Sequence, residues 1–190
     1  MTPVPVDSPD AERLLTEYFT ARELGFIGGD YRVSFPDPPR FVPPAGVFLL
    51  VLDDEGEPVG CGGIRRIDPD EHGERYEVKH LFLRESTRGR RWGRALLDEL
   101  ERRALGFGAR SIVLDTNASL AAAAALYRSA GYVDIPPYND NPNATNWYGK
   151  QLDRPAANRP SVGAPDQESV NRPQGRAALR SGGAPPTSSR

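Results

Sequence analysis

The sequence has very little of the chemistry that builds disulfides, metal sites or membrane spans. Its 190 residues include one cysteine, Cys61, and two histidines, so an intrachain disulfide is excluded and no metal-ligand spacing is present. The longest apolar runs, such as VFLLVL at residues 47–52, are too short to cross a bilayer. The first twenty residues carry several acids and lack the pattern of a signal peptide. These absences favour a cytoplasmic protein without a metal or a membrane partner.

An excess of charge of one sign is also missing. The net charge of −2 and the sequence pI of 5.8 argue against a general nucleic-acid binder. Residues 153–190 contain no aromatic side chain and are rich in Pro, Ala, Gly, Ser and Arg, which predicts a disordered tail. This tail has a net charge of +3, so residues 1–152 carry −5, which weakly favours a cationic substrate. We therefore expect one domain, residues 1–152, followed by a tail, residues 153–190.

Apolar periodicity and turn signals predict the element order α, βββ, α, β, α, ββ, with a further strand near Tyr31 left open. Pro9 opens the first helix, and Gly131 ends the last one. The strands are GVFLLVL, VGCGGIRRI and RYEVKHLFL in an antiparallel run, then SIVLDT, YVDI and TNWYGKQL. This pattern predicts an α/β (α+β layered) domain with helices packed on a sheet.

A cluster of four arginines lies where a helix is predicted to begin. Arg88, Arg90, Arg91 and Arg94 occupy seven residues at the helix N-terminus, where the macrodipole disfavours cations by about 0.3–1 kcal/mol each. A phosphate would remove this conflict, because free backbone N–H groups and the dipole favour an anion there. Gly89 supplies backbone freedom within the same turn. The placement therefore predicts a phosphorylated ligand, although a solvated basic face is the alternative.

From residue 77 to residue 152 the chain resembles the GNAT superfamily of acyl-CoA-dependent N-acetyltransferases. The family's pyrophosphate loop, Gln/Arg-x-x-Gly-x-Gly/Ala, is matched at its first and last positions, while Arg91 replaces the middle glycine. YEVKHLFL resembles the preceding strand, and ASLAAAAALYRSAGY resembles the family's second conserved helix. The resemblance implies a GNAT-like, mostly antiparallel sheet flanked by helices and acetyl-CoA as co-substrate. The loop residues it assigns to the cofactor are Arg88, Gly89, Arg90, Arg91, Trp92, Gly93 and Arg94.

The resemblance also implies roles for residues outside the loop. Tyr127 would protonate the leaving thiolate, and Glu77 would help to deprotonate the amine, although a core tyrosine and a surface or paired glutamate are the ordinary alternatives. Backbone N–H groups near Leu81, Phe82 and Leu83 would hold the developing oxyanion. Asn117 would cap the alanine-rich helix and contact the cofactor. The residues expected to meet substrate are Tyr138, Asn139 and Asp140.

The sequence therefore predicts an N-acetyltransferase that moves acetyl from acetyl-CoA to an amine of a small molecule or peptide. The alternative is a non-catalytic module that binds acyl-CoA through the loop, or one that binds nucleic acid through the arginine-rich helix, with Trp92 among its arginines, and the arginine-containing tail. The main reading includes no nucleic acid and no membrane partner, and it leaves a homodimer open. A mechanism through Cys61 is disfavoured, because that residue lies in a strand between glycines.

Overall fold

The computed structural model describes residues 1–26 and 29–152, which form seven strands and three α-helices. The helices are α1 (Pro9–Leu24), α2 (Trp92–Gly106) and α3 (Ala121–Ser129). The strands are β1 (Thr2–Val4), β2 (Gly46–Leu52), β3 (Pro58–Asp70), β4 (Gly73–Leu83), β5 (Ser111–Thr116), β6 (Val133–Asp134) and β7 (Asn146–Gln151).

The seven strands form one sheet in the order β1-β2-β3-β4-β5-β7-β6. Only the β4–β5 pair is parallel among the described strands, and the other five pairs are antiparallel. The parallel pair needs a crossover, which α2 provides between the two strands. The mixed, mostly antiparallel sheet with flanking helices that the sequence predicts is therefore confirmed.

The two parallel strands stay paired over a short distance only. Arg75–Glu77 of β4 pair with Ser111–Val113 of β5, and both strands continue beyond the last of these pairs. On its other side β5 pairs with β7 along its whole length. The sheet therefore opens between the ends of β4 and β5, and side chains from both strands can enter the gap.

A β-bulge interrupts β4 within this open stretch. Two residues, His80 and Leu81, lie opposite a single residue of β3, Gly62. His80 has a φ of 56°, in the left-handed region where histidine is found more often than most L-residues. A bulge leaves one residue outside the regular ladder and bends the strand, so it redirects β4 beside the opening.

Strand β2 shows how the helices cover the sheet. Its side chains alternate, with Val47, Leu49 and Val51 in one buried cluster and Phe48 and Leu50 in another. The first cluster contains the apolar stripe of α2, and the second contains that of α1. Successive strand residues point to opposite faces, so α1 and α2 cover opposite faces of the sheet.

Three differences from the sequence prediction concern short or irregular segments. Strand β1 was not predicted, because three residues are too few to show a period of two. The strand left open near Tyr31 does not form, since residues 31–37 adopt no helix or strand. The predicted disordered tail, residues 153–190, lies outside the described residues. In the described part, no helix combines the length and apolar character needed to cross a bilayer.

Candidate active site

A cavity of about 550 Å³ lies at the opening between β4 and β5. Its wall is formed by α1, the irregular segment 31–36, β3, β4, the end of β5, α3 and the segment 139–143. Of the residues that the sequence analysis selected, Leu81, Tyr127 and Asn139 line the cavity. Glu77 lies beneath the surface of the cavity, and its side chain is only 1% exposed.

Both oxygens of the Glu77 carboxylate form hydrogen bonds or ion pairs with neighbouring side chains. Arg65 contacts one oxygen through Nε and Nη2, both at 2.6 Å. The other oxygen lies 3.1 Å from the Lys79 ammonium and accepts hydrogen bonds from the Tyr138 hydroxyl at 2.9 Å and from Asn139 at 3.3 Å. A buried carboxylate is stable only with such partners. Glu77 therefore joins β3, β4 and the segment after β6, and its predicted role in proton relay stays a prediction.

Asp115, near the end of β5, is the carboxylate that lines the cavity. Lys79 donates to both of its oxygens at 3.1 Å, and Asn139 donates to one at 2.7 Å. Burial raises the pKa of Asp115, but the Lys79 ammonium and hydrogen bonds from Asn139 and Asn141 outweigh this effect, so its pKa is lowered. Asp115 was not among the predicted site residues, although an acid at the end of the apolar run SIVLDT was a usable signal.

Tyr127, on α3, is buried against the core and also lines the cavity. Its ring packs near Tyr132 and Tyr148, with centroids 5.9 and 6.0 Å away. Burial raises the pKa of Tyr127 to about 12, and the positive charge of Arg22 opposes that increase. The phenol therefore stays protonated throughout the neutral range, as a proton donor must.

The bulge places a neutral histidine in the cavity wall. Burial lowers the pKa of His80 to about 3, and the charges of Lys79 and Arg65 act in the same direction. Its Nδ1 is buried without a hydrogen-bond partner among the described residues, while Tyr18 and Phe19 pack edge-on against its ring. His80 is therefore an uncharged imidazole at neutral pH. The Cys61 thiol points to the His80 carbonyl, and burial raises its pKa, so it is unsuited to act as a nucleophile.

The arginine-rich loop has the backbone geometry of an anion site. Gly89 and Arg91 have φ values of 81° and 59°, and α2 begins directly after Arg91. Between residues 89 and 94, five backbone N–H groups have no hydrogen-bond acceptor among the described residues. They belong to Gly89, Arg91, Trp92, Gly93 and Arg94. An N–H cluster at a helix start binds phosphate through hydrogen bonds and the helix dipole.

The side chains of the loop explain how its positive charge is tolerated without a ligand. Arg88 pairs with Glu85, Arg90 lies 3.6 Å from Asp54, and Arg94 donates to Asp98 at 2.8 Å. Arg90 also stacks over the Trp92 ring at 5.0 Å. In the described part of the chain, Arg91 has no ion-pair partner. Three of the four cations thus have a local counter-charge.

Packing fixes the loop against β4 and α3. A Cβ at Gly93 would meet Leu83 at 3.4 Å and Leu126 at 3.5 Å, which is ordinary contact distance. Leu83 and Trp92 are half-buried against the core cluster of α2, whereas Phe82 packs into the cluster of α1. Of the three residues predicted to hold the oxyanion, only Leu81 lines the cavity.

Among the predicted polar residues, the helix-capping role of Asn117 needs correction. Asn117 does not cap α3, because the N-cap residue is Leu120; the Asn117 amide instead donates to the Asn143 carbonyl at 3.1 Å. Tyr138 and Asp140 do not line the cavity, since the Tyr138 hydroxyl donates to Glu77 and the Asp140 side chain is exposed, so their contact with substrate stays a prediction. Of the three predicted substrate residues, Asn139 alone lies at the cavity surface.

Two further cavity residues could not be selected from the sequence. Arg22 in the last turn of α1 and Arg32 in the segment that follows both line the cavity. Arginine in the last helical turn is common, because it suits the dipole, and therefore carried no functional signal. Within the described residues, no cluster of three or more His, Cys, Asp or Glu side chains could hold a metal ion.

Comparison with known proteins identifies similar chains. Residues 11–132 match the model of the "Acetyltransferase (GNAT) family". An uncharacterized N-acetyltransferase of Schizosaccharomyces pombe is 31% identical over 141 residues, which is 73% of this chain and 84% of the relative. A structure from Klebsiella pneumoniae, assigned as an acyl-CoA N-acyltransferase, has 25% identity and a TM-score of 0.63 over 80% of this chain and 95% of its own. A GNAT-family acetyltransferase from Staphylococcus aureus has 18% identity and a TM-score of 0.62, covering 80% and 99% of the two chains, which supports the fold.

Proposed function

Because the chain belongs to the GNAT acetyltransferase family, whose members use acyl-CoA as co-substrate, we propose that it is an N-acetyltransferase that uses acetyl-CoA. Its acceptor is an amine of a small molecule or peptide. The observation that carries this proposal is the cluster of unpaired N–H groups at the start of α2. That cluster adjoins β4, whose bulge forms part of the wall of a cavity that also contains Tyr127.

The loop suits a pyrophosphate for two independent reasons. Its backbone donors converge at the positive end of α2, where an anion is stabilised. The arginines add charge-assisted hydrogen bonds, which are stronger than neutral ones. Gly89, Arg91, Trp92, Gly93 and Arg94 supply the backbone contacts, and Arg88 and Arg90 add side-chain charge.

The reaction is a direct transfer between the amine and the thioester. The neutral amine nitrogen attacks the carbonyl carbon, the N–C bond forms and the C–S bond breaks. The nitrogen then gives up one N–H proton, while the sulfur takes one from the Tyr127 hydroxyl, which is re-protonated from solvent. If the amine arrives as an ammonium ion, one further proton is released to solvent. A backbone N–H at the bulge, near Leu81, stabilises the carbonyl oxygen as it becomes negative.

The two carboxylates of the site have different positions and hence different tasks. Asp115 lines the cavity and can receive the ammonium group of the acceptor. Glu77 acts on the amine proton indirectly, since one of its oxygens contacts Lys79 and Asn139, which both also contact Asp115. Glu77 is therefore proposed as a positioning residue of the relay and Asp115 as its exposed end.

The test of the proposal combines binding with turnover. Calorimetry measures acetyl-CoA binding to the full chain, and release of free thiol is then followed with a panel of amines, with acylated product identified by mass spectrometry. We expect tight binding of acetyl-CoA and thiol release that depends on the amine. Binding without amine-dependent release contradicts the enzyme and favours the acyl-CoA-binding alternative. Binding of a duplex oligonucleotide that weakens steeply with salt favours the nucleic-acid-binding alternative.

The location and the oligomeric state are separate from the reaction. We propose a cytoplasmic location, because the single cysteine of the chain provides no disulfide framework. The homodimer that the sequence leaves open is tested by sedimentation of the purified chain.

A further inference from the structure

The cavity contains more positive charge than its carboxylates balance. Four cationic side chains line it, from Arg22, Arg32, Arg65 and Lys79. Arg65 and Lys79 belong to the network beneath the cavity, where Glu77 and Asp115 provide two compensating carboxylates. The other two cations have no such partner among the described residues. The cavity wall therefore has two positive charges, those of Arg22 and Arg32, that no carboxylate compensates among the described residues.

Arg22 has an unused hydrogen-bond donor in the cavity wall. Its Nε is buried and has no acceptor in the described part of the chain. The guanidinium is held over the Tyr31 ring at 5.9 Å, and its charge is felt at the phenol of Tyr127. A buried donor without an acceptor destabilises the fold, so a ligand that supplies the acceptor is favoured. Arg22 is thus held near the proposed reaction centre with a donor free for an anion.

A buried asparagine, Asn143, holds the backbone of Arg32 in position at the cavity. The Asn143 amide accepts a hydrogen bond from the Arg32 N–H at 3.0 Å and donates to the Arg32 carbonyl at 2.7 Å. Asn143 is 8% exposed, and its own carbonyl accepts from Asn117. This chain of bonds pins the backbone of an otherwise irregular segment at the cavity. The Arg32 side chain lies in the wall without an ion-pair partner among the described residues.

We propose that the acceptor carries a carboxylate as well as its amine, and that Arg22 and Arg32 bind this carboxylate. The inference rests on the proposed function, since it specifies the substrate class of the same site. A guanidinium matches a carboxylate with two parallel hydrogen bonds, which neutral groups cannot do. Asp115 takes the amine end of the same molecule. The apolar wall made by Phe19, Phe35 and neighbouring tyrosines suits an aliphatic or aromatic group on the acceptor.

The phosphates of the co-substrate are a less suitable partner for these arginines. The loop of residues 88–94 already offers N–H groups to the pyrophosphate, and none of its residues lines the cavity. The positive charge of the cavity wall is also opposite in sign to the net charge of residues 1–152, which is −5. A charged cleft selects its ligand by the local potential rather than by the net charge. The proposed acceptor, with a carboxylate beside its amine, therefore differs from the purely cationic substrate that the net charge weakly favours.

The experiment uses matched pairs of acceptors. Phenylalanine, tryptophan, leucine and methionine are each compared with the corresponding carboxamide, in binding by calorimetry with coenzyme A present and in kcat/KM for thiol release. At least one acid should bind or react 10-fold or more better than its amide. Arg22→Gln and Arg32→Gln should each lower the value for the acid by about 10- to 100-fold more than the value for the amide. Arg13→Gln, on α1 but paired with Asp10 outside the cavity, is the control and should change neither.

The outcomes separate this inference from the proposed function. Thiol release with amides equal to acids in every pair overturns the carboxylate inference and leaves the acetyltransferase standing. Failure of every acid to bind overturns it as well. Weaker acetyl-CoA binding in the arginine variants, with an unchanged acid-to-amide ratio, assigns the arginines to the co-substrate and overturns it too. Arginine-dependent binding of an acid without any thiol release supports the inference and contradicts the proposed enzyme.

Discussion

Tyr127 combines burial in the core with access to the cavity, and this combination makes its role testable. Tyr127→Phe retains the ring that packs near Tyr148 and removes the hydroxyl. We expect kcat to fall by about 10²-fold, the low end for general-acid catalysis, because a thiolate whose acid has a pKa near 8.5 can leave unprotonated. The dissociation constant for acetyl-CoA should not change. Because the pKa of Tyr127 is about 12, its ionisation should not limit the wild-type rate up to pH 10.

The matched control for this substitution is Tyr148→Phe. Tyr148 is equally buried and adjacent, but it does not line the cavity, so its hydroxyl should be dispensable for the rate. Steady-state rates from pH 6 to pH 10 are measured for both variants. If Tyr127→Phe keeps the wild-type kcat throughout, Tyr127 is a core residue and another group or water protonates the thiolate.

Glu77 illustrates a residue whose structural role is larger than its chemical one. Glu77→Gln removes the buried negative charge that Arg65 and Lys79 share. We expect the free energy of unfolding to fall by about 3 kcal/mol, the low end for breaking a buried ion pair, because Arg65 also reaches solvent. Urea unfolding at pH 7.5 measures the loss.

Two further variants separate the tasks of the carboxylates. Asp115→Asn should retain more stability than Glu77→Gln, because Asp115 has one cationic partner and Glu77 has two, but it should lose more of kcat/KM. Glu74→Gln, which alters an exposed pair 3.9 Å from Arg66, is the control and should be neutral. A stable Glu77→Gln variant with an abolished rate would make Glu77 the base itself and contradict the division proposed here.

At the scale of elements, the start of α2 tests the anion site. Gly93 is the second residue of the helix, so its N–H has no intrahelical acceptor and is free for a ligand. Gly93→Pro removes this donor, and the ring adds bulk next to Leu83. We expect acetyl-CoA affinity to fall by 10-fold or more in calorimetry.

Gly93→Ala is the control for the proline variant. It keeps the N–H, and its Cβ meets its neighbours at normal contact distance, so affinity should change little. The helical signal by circular dichroism should be the same in both variants. Equal affinities for acetyl-CoA in the two variants would mean that this N–H does not bind the pyrophosphate.

The sequence predicted this element well, because its signals are local. Arginines, glycines and a helical apolar stripe within twenty residues indicate a turn, a helix start and an anion. The backbone conformation of Arg91 could not be predicted from the sequence. Arg91 occupies the position of the middle glycine of the family motif, and it adopts the left-handed conformation with a φ of 59°. The left-handed conformation costs most L-residues about 1–2 kcal/mol, which is the physical reason for glycine at that position. The backbone geometry of the loop thus tolerates the substitution, and the N–H of Arg91 remains available.

At the scale of the whole molecule, the site depends on contacts that no local pattern contains. Arg22 and Asp115 are 93 positions apart, and they meet in one cavity only because β4 and β5 separate. Strand order and the length of the parallel pairing decide this opening, and both follow from packing of the entire sheet. For the same reason Asn139 could be selected from a polar loop, but its neighbours Tyr138 and Asp140 could not be told apart from it.

The packing of the cavity wall also links the stability of the fold to pH through His80. Burial lowers its pKa from an ordinary value near 6.5 to about 3. Between these two values the unfolded chain binds a proton that the folded chain does not, so the free energy of unfolding rises with pH in this window. The stabilising effect is complete above pH 6.5 and is lost as the pH falls toward 3. The whole difference corresponds to about 4–5 kcal/mol.

Removing this histidine should therefore make the fold less sensitive to acid. His80→Asn suits the test, because asparagine tolerates the left-handed backbone and does not titrate. Urea unfolding at pH 7.5, 6.5, 5.5 and 4.5 should show that the wild type loses about 2–3 kcal/mol more than the variant between the first and last of these values, because only the wild type must keep an imidazole unprotonated. Buried carboxylates contribute equally to both proteins and cancel in the comparison. His72→Asn, at the exposed turn before β4, should follow the wild type. Parallel pH profiles for all three proteins would mean that water reaches the His80 ring, and that the bulge does not enclose a neutral imidazole.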